Sequence, residues 1–144
     1  MTCEMFMKPE ECIFFQLAKA SQAAVRFWSR QVSSLGVTAV QGMVLCFLSD
    51  RDGVTAGLLG ERTRLDSATL TGVIDRLESL GLVARRPHDT DRRSVVVCLT
   101  DEGKNTARKA TNLMERSNRE FFHDMTEQDE AAFRAYLVHF MEKE

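Results

Sequence analysis

Leu65-Asp66-Ser67-Ala68-Thr69-Leu70-Thr71-Gly72-Val73-Ile74-Asp75-Arg76-Leu77-Glu78-Ser79-Leu80-Gly81-Leu82-Val83 is the stretch that decides the fold of this 144-residue chain. Leu70, Val73, Ile74, Leu77 and Leu80 fall three and four apart, one apolar stripe along a helix. Asp66 stands where an N-cap accepts the first free amides, and Gly81 suits the left-handed position after a last turn. The spacing predicts a helix over 67–80. Its opposite face then looks outward and offers Ser67, Thr69, Thr71, Gly72, Asp75 and Arg76.

Upstream, Thr55 is placed to cap a short helix reaching about Arg62, with Leu58 and Leu59 pointing inward. Thr38 and Gln41 make a capping-box pair ahead of a helix over about 39–49, whose inner face is read as Val40, Val44, Leu45 and Leu48. Gly36 ends a longer first helix, about Glu10 to Ser34, with Ile13, Leu17, Ala20, Ala24, Phe27 and Trp28 on one face. Downstream of Gly81 the period changes. Leu82–Arg86 and the valine-rich Ser94–Leu99 read as strands, and the polar Pro87–Arg93 between them as a hairpin tip. Thr100 caps a long helix to about Asp124, and Thr126 with Asp129 starts a last one carrying Phe133, Leu137, Phe140 and Met141. The order is ααααββαα, a mainly α chain in which a helix-turn-helix runs directly into a two-stranded wing.

Bulk properties narrow the function classes. The chain is 44% hydrophobic and 28% charged, the balance of a soluble globular protein, and its length fits one domain or one domain plus an oligomerisation appendage. The formal charge of −2 speaks mildly against a simple nucleic-acid binder. Within 62–93, however, seven arginines face five carboxylates, so the acid is concentrated in the flanks. Cys3, Cys12, Cys46 and Cys98 lie far apart without a C-x-x-C pair, and no secretory leader or membrane-length apolar run is present. Free thiols in a reducing cytoplasm and no membrane association are expected. His88, His123 and His139 form no ligand set, so neither metal nor cofactor is expected. A phosphate-cradling glycine loop, a nucleophile elbow and an H-E-x-x-H helix are all missing, so no enzymatic activity is expected.

The outward face of 67–80 has two readings. It is a solvated surface of small polar residues, or a surface sized for the DNA major groove, where hydroxyls pair with base edges and threonine methyls touch thymine. The tip His88-Asp89-Thr90-Asp91-Arg92-Arg93 favours the second, because it extends two arginines, a residue suited to phosphate and to the narrow minor groove. Asp91 is placed to hold the Arg93 guanidinium. A winged-helix module that binds proteins instead of DNA stays open.

The run 65–83 resembles the recognition-helix segment of the MarR family. Asp91-Arg92-Arg93-Ser94 and Leu99-Thr100-Asp101-Glu102-Gly103 are similar to that family's wing and to the entry of its next helix. The resemblance implies a winged helix-turn-helix lobe over 38–99 within a single MarR-type domain of residues 1–144. Dimerisation helices would be 10–34 and 101–142. It further implies a homodimeric, effector-responsive repressor of transcription on double-stranded DNA. Ser67, Ala68, Thr69 and Thr71 would lie in or beside the major groove, with Arg64 and Arg76 at phosphates or bases. Arg93 would enter the minor groove, oriented by Asp91, with Arg92 near the backbone. The surplus of apolar residues at Phe121, Phe122, Phe133, Phe140 and Met141 agrees with a dimer. The family also implies a pocket for a small aromatic or anionic effector, for which Phe14, Phe27 and Trp28 are candidates. Peroxide-sensing members carry a cysteine near the start of the first helix, where Cys12 falls. The tyrosines that assist it there have no counterpart nearby, since the single tyrosine is Tyr136. Glu10 and Glu11 beside Cys12 also disfavour a thiolate.

Overall fold

The computed structural model describes residues 7–143, so Cys3 lies outside the described residues. The helices are α1 (Ile13–Val32), α2 (Ala39–Asp50), α3 (Ala56–Thr63), α4 (Ser67–Ser79), α5 (Asp101–Phe121) and α6 (Glu127–Met141). Three strands, β1 (Val54–Thr55), β2 (Val83–Pro87) and β3 (Val95–Leu99), form one antiparallel sheet in the order β1-β3-β2. Short 3-10 turns flank α1 at Pro9–Glu11 and Ser33–Leu35.

Local chemistry sets most of these boundaries. Thr38, Thr55, Asp66, Thr100 and Thr126 each accept an amide of the first turn that follows them. At Thr38 the box is reciprocal: Gln41 N–H donates to Thr38 Oγ1 at 3.3 Å, and Thr38 N–H donates to Gln41 Oε1 at 2.9 Å. The end of α4 is a full Schellman closure. Gly81 at φ +73° donates to the Glu78 carbonyl, and Leu82 donates to that of Leu77 at 3.0 Å. Pro87 closes β2 on the sheet's outer strand, where a missing N–H is tolerated.

Strand β1 is the element that the sequence pattern does not announce. Val54 and Thr55 pair with Val97 and Val96, turning the two-stranded wing base into a three-stranded sheet. Two residues carry no period, and Val54 joins because burying it beside Val97 completes the core.

That core is assembled from Val32, Val44, Leu45, Leu48, Leu59, Leu70, Ile74, Leu77, Val83 and Val97, with Ala107 of α5 against it. Trp28 packs on its edge and donates its indole N–H to the Ala39 carbonyl at 2.9 Å. Two stripe assignments are corrected. Val40 lies at the exposed rim of α2, and Leu80, 45% exposed, sits past the stripe because the helix is already closing there. Leu58 is only partly buried against the core.

The two ends of the chain behave differently from the middle. α5 packs along α2, and α1 crosses both. Ile13, Phe14, Phe15 and Leu17 at the start of α1 stay exposed, and α6 buries no residue at all. Phe133, Leu137, Phe140 and Met141, the predicted stripe of α6, are all exposed in the single chain.

Candidate nucleic-acid interface and ligand cleft

The interface is built on α4. Leu70, Val73, Ile74 and Leu77 anchor one side in the core, which forces Ser67, Ala68, Thr69, Thr71, Gly72, Asp75 and Arg76 to the exposed side. Space in front of Gly72 is open: a Cβ built there meets nothing within 4 Å. Thr69 also stabilises the helix start, donating N–H (2.8 Å) and Oγ1–H (2.6 Å) to the two Asp66 oxygens. These bonds, the hydroxyl's first, hold the Asp66 carboxyl below its ordinary value.

The turn before α4 is tight. Arg64 adopts φ +56°, the only left-handed non-glycine among the described residues. Its guanidinium reaches the far end of the chain and donates to the Met141 carbonyl at 3.0 Å, at the negative end of α6. The residue expected at a phosphate or base thus also hydrogen-bonds the last helix in the single chain.

The wing is organised by its own side chains. His88 N–H donates to the Ser94 carbonyl at 2.8 Å, closing the hairpin, and Thr90 N–H donates to His88 Nδ1 at 3.2 Å. The Asp91 expectation is corrected in detail. Its carboxylate accepts from the Arg93 main-chain N–H at 3.1 Å and from the Ser94 hydroxyl at 3.3 Å, not from the guanidinium. An aspartate two residues back sits within reach of the main-chain amide before any long side chain. Asp91 therefore shapes the turn and leaves the Arg93 side chain exposed.

Arg85 is the functional residue that sequence reasoning counted without singling out. From β2 it donates to Asp75 at 2.6 Å and to Glu78 at 3.0 Å, and its own N–H donates to Glu78 at 3.2 Å. The Asp75 bond is the main reason its guanidinium is held even more firmly protonated than usual. One arginine thus fixes the wing base to the C-terminal half of α4. Only the alternation of β2 hinted at its direction; the pairing is non-local.

The charge count now acquires a direction. Of the five carboxylates in 62–93, Asp66 is spent on a cap, Asp75 and Glu78 on Arg85, and Asp91 on the wing turn. Arg62 is paired to Asp50 and lies over the Phe47 ring. Among the described residues, Arg64, Arg76, Arg86, Arg92 and Arg93 make no salt bridge. Four of the five carboxylates are thus engaged internally, with only Asp89 left unengaged and exposed beside the surface arginines.

A separate cleft of about 140 Å³ opens between α1, α2 and α5, lined by Ala24, Phe27, Trp28, Met43, Met114, Ser117, Asn118 and Phe121. Phe27 meets Phe121 edge to face at 5.6 Å. Two of the three predicted pocket aromatics, Phe27 and Trp28, are there. Phe14 is not: it is 79% exposed near the start of α1, thirteen residues before Phe27, and does not line the cleft. Cys12 caps α1 through its backbone and is partly buried. Burial pushes the Cys46 and Cys98 thiols up, so both stay protonated near neutral pH. No group of three or more metal-ligating side chains occurs among the described residues, and no single helix there is long and apolar enough to cross a membrane.

Comparison with known proteins places this geometry. A model described as the MarR family matches residues 35–94. The organic hydroperoxide resistance transcriptional regulator of Bacillus subtilis is 32% identical over 107 residues, 74% of this chain and 73% of that protein. The structure of an E. coli MarR mutant complexed with operator DNA superposes with a TM-score of 0.78 at 29% identity, covering 90% of this chain and 93% of the other. Bordetella bronchiseptica BpsR, whose structure concerns regulation of DNA binding by 6-hydroxynicotinic acid, gives 0.84 at 27% identity, covering 96% and 99%. By its recognition-helix and wing segments, its winged-helix architecture and these relatives, the chain belongs to the MarR family of transcriptional regulators.

Proposed function

We propose that this regulator works as a cytoplasmic homodimer without enzymatic activity, holding a pseudo-palindromic operator in duplex DNA and releasing it when a small effector binds. In this reading residues 38–99 are the DNA-binding lobe, and 10–34 with 101–142 are the dimerisation helices. Ser67, Ala68, Thr69 and Thr71 meet the major groove, Arg76 a phosphate or base, Arg93 the minor groove, and Arg92 the backbone. Arg64 also meets a phosphate or base, exchanging its bond to the Met141 carbonyl for that contact.

The observation that carries the reading is the sorting of charge: four of the five carboxylates around α4 and the wing are engaged in internal bonds, while Arg76, Arg86, Arg92 and Arg93 make no salt bridge. Phosphate recognition needs that asymmetry more than it needs a basic chain overall. The exposed apolar faces of α1 and α6 support a two-fold partner, which spaces the recognition helices about one DNA turn apart. The test is fluorescence anisotropy on operator-sized duplexes from the regulator's own promoter. Affinity is expected to fall steeply with salt, and Arg93→Ala to cost about 1–3 kcal/mol. A folded protein that ignores duplex DNA at every salt concentration would instead be a protein-interaction module.

A second reading, peroxide sensing at Cys12, is favoured by the position of that thiol at the start of α1 and by the likeness to the Bacillus organic hydroperoxide resistance regulator. A Cys12→Ser protein that still leaves DNA on hydroperoxide treatment removes it.

A further inference from the structure

Arg64 links two parts of the fold that share no other hydrogen bond among the described residues. It ends α3 in the left-handed region at φ +56°, where glycine would sit without strain, so the chain keeps a long side chain here against a backbone preference. That side chain is used: Nη1 donates to the Met141 carbonyl at 3.0 Å, 77 residues on. The last carbonyls of a helix have no partner inside it and carry the negative end of its dipole. α6 has few other anchors. It buries no residue, and apart from its own cap two hydrogen bonds join it to other elements among the described residues. Arg134, at its middle, donates to Asn118 of α5 at 3.0 Å, and Arg64 holds its end. Two residues after Arg64, Asp66 caps α4, so the turn that grips α6 also starts the recognition helix.

We propose that Arg64 is a latch over which α6 and the operator compete: without DNA the end of α6 holds it, and full DNA binding requires its release. The proposal rests on the DNA-binding reading above and adds a regulatory consequence to it. Competition follows from charge. A guanidinium has donors to spare, but the Met141 carbonyl brings the negative pole of α6 with it, and the next residue is the carboxylate Glu142. A phosphate approaching Arg64 there meets like charge, so the two acceptors exclude each other. Linkage then runs both ways. Whatever holds the end of α6 against the α3–α4 turn weakens the operator complex by the same factor by which DNA weakens that hold. Since α6 is also a proposed dimerisation helix, one side chain ties the subunit seam to the recognition helix.

Glu142→Pro tests the latch in the full chain. Proline drives the residue before it out of the helical region, which turns the Met141 carbonyl away and removes one main-chain bond, Glu142 N–H to Val138. Glu142→Gln matches the lost charge. Each is made alone and together with Arg64→Ala, dimer mass is checked by light scattering, and operator duplex is titrated by anisotropy at several salt concentrations. Glu142→Pro is expected to bind roughly three- to tenfold more tightly than Glu142→Gln, the worth of one net hydrogen bond. Arg64→Ala is expected to bind more weakly, to reduce the salt slope by about one, and to abolish the difference between the two Glu142 variants. Equal affinities of Glu142→Pro and Glu142→Gln overturn the latch, and so does a gain that survives Arg64→Ala. An unchanged salt slope in Arg64→Ala removes Arg64 as the shared group. Hydrogen exchange on the parent needs no change at the helix end. Operator should speed exchange in the last turn of α6, and slowed or unchanged exchange there overturns the release. A parent that ignores duplex DNA at every salt concentration fails the DNA-binding reading itself, and the latch with it.

Discussion

Gly103 shows how little room a single position can leave. A Cβ built there lies 1.8 Å from the Leu82 carbonyl oxygen, a backbone atom that has nowhere to go. The same carbonyl accepts from Thr100 N–H at 3.1 Å, so the strand end and the first turn of α5 are pressed together. Gly103→Ala is expected to destabilise the fold by about 3 kcal/mol, the upper end of overpacking costs, as read from urea denaturation. Asp66 gives a pH signature. Its carboxyl is lowered in the folded chain, so its stabilisation is complete above the usual aspartate value and is lost as pH falls through the lower folded value. Thermal melts between about pH 5 and pH 2 should show a smaller acid-induced loss for Asp66→Asn than for the parent. Residues of this kind were legible from sequence when their chemistry is local: all five capping side chains and Gly81 act within three residues of themselves. Arg64 and Arg85 were not, because each takes its meaning from another element: Arg64 from a carbonyl 77 residues on, Arg85 from carboxylates seven and ten residues back across the α4–β2 turn.

Among the elements, α4 and the wing form one unit through Arg85. The exposed half of that ion-pair network adds under about 1 kcal/mol to stability, but it sets where the hairpin leaves the recognition helix. Arg85→Ala should therefore barely move the melting temperature yet weaken operator binding several-fold in anisotropy titrations. An unchanged affinity would mean that the wing finds its place without α4. Periodicity predicted six helices and the two wing strands because each carries several turns or alternations. It overlooked β1, which is too short to have a period, and it extended the α4 stripe to Leu80 because periodicity does not know where a helix closes. The apolar faces of α1 and α6 were legible as faces, but nothing in a single chain's spacing says which partner covers them.

At the scale of the whole molecule, the chain leaves its two ends apolar and its middle packed. Leu17 and Leu137 both remain partly open in the single subunit. Combined Leu17→Glu and Leu137→Glu is expected to yield particles of one chain mass, 16.3 kDa, in light scattering, against twice that for the parent. The monomer should lose more than tenfold in operator affinity, because each half then binds alone. A double variant that still elutes and binds as the parent does would move the dimer seam elsewhere.

The junction at Gly103 reaches further than its own turn. α5 is a continuous rod of 21 residues whose near end is wedged against Leu82 at the foot of the hairpin and whose far end carries Ser117 and Phe121 beside the aromatic cleft. At the usual rise of about 1.5 Å per residue this rod is roughly 30 Å long, so a swing of only about 2° at one end displaces the other by about 1 Å. A wedge with no slack makes that rod a crank, not a hinge. A load on the aromatic end is expected to be felt as a tilt at the hairpin's footing, even though the two lie at opposite extremities of the same spar.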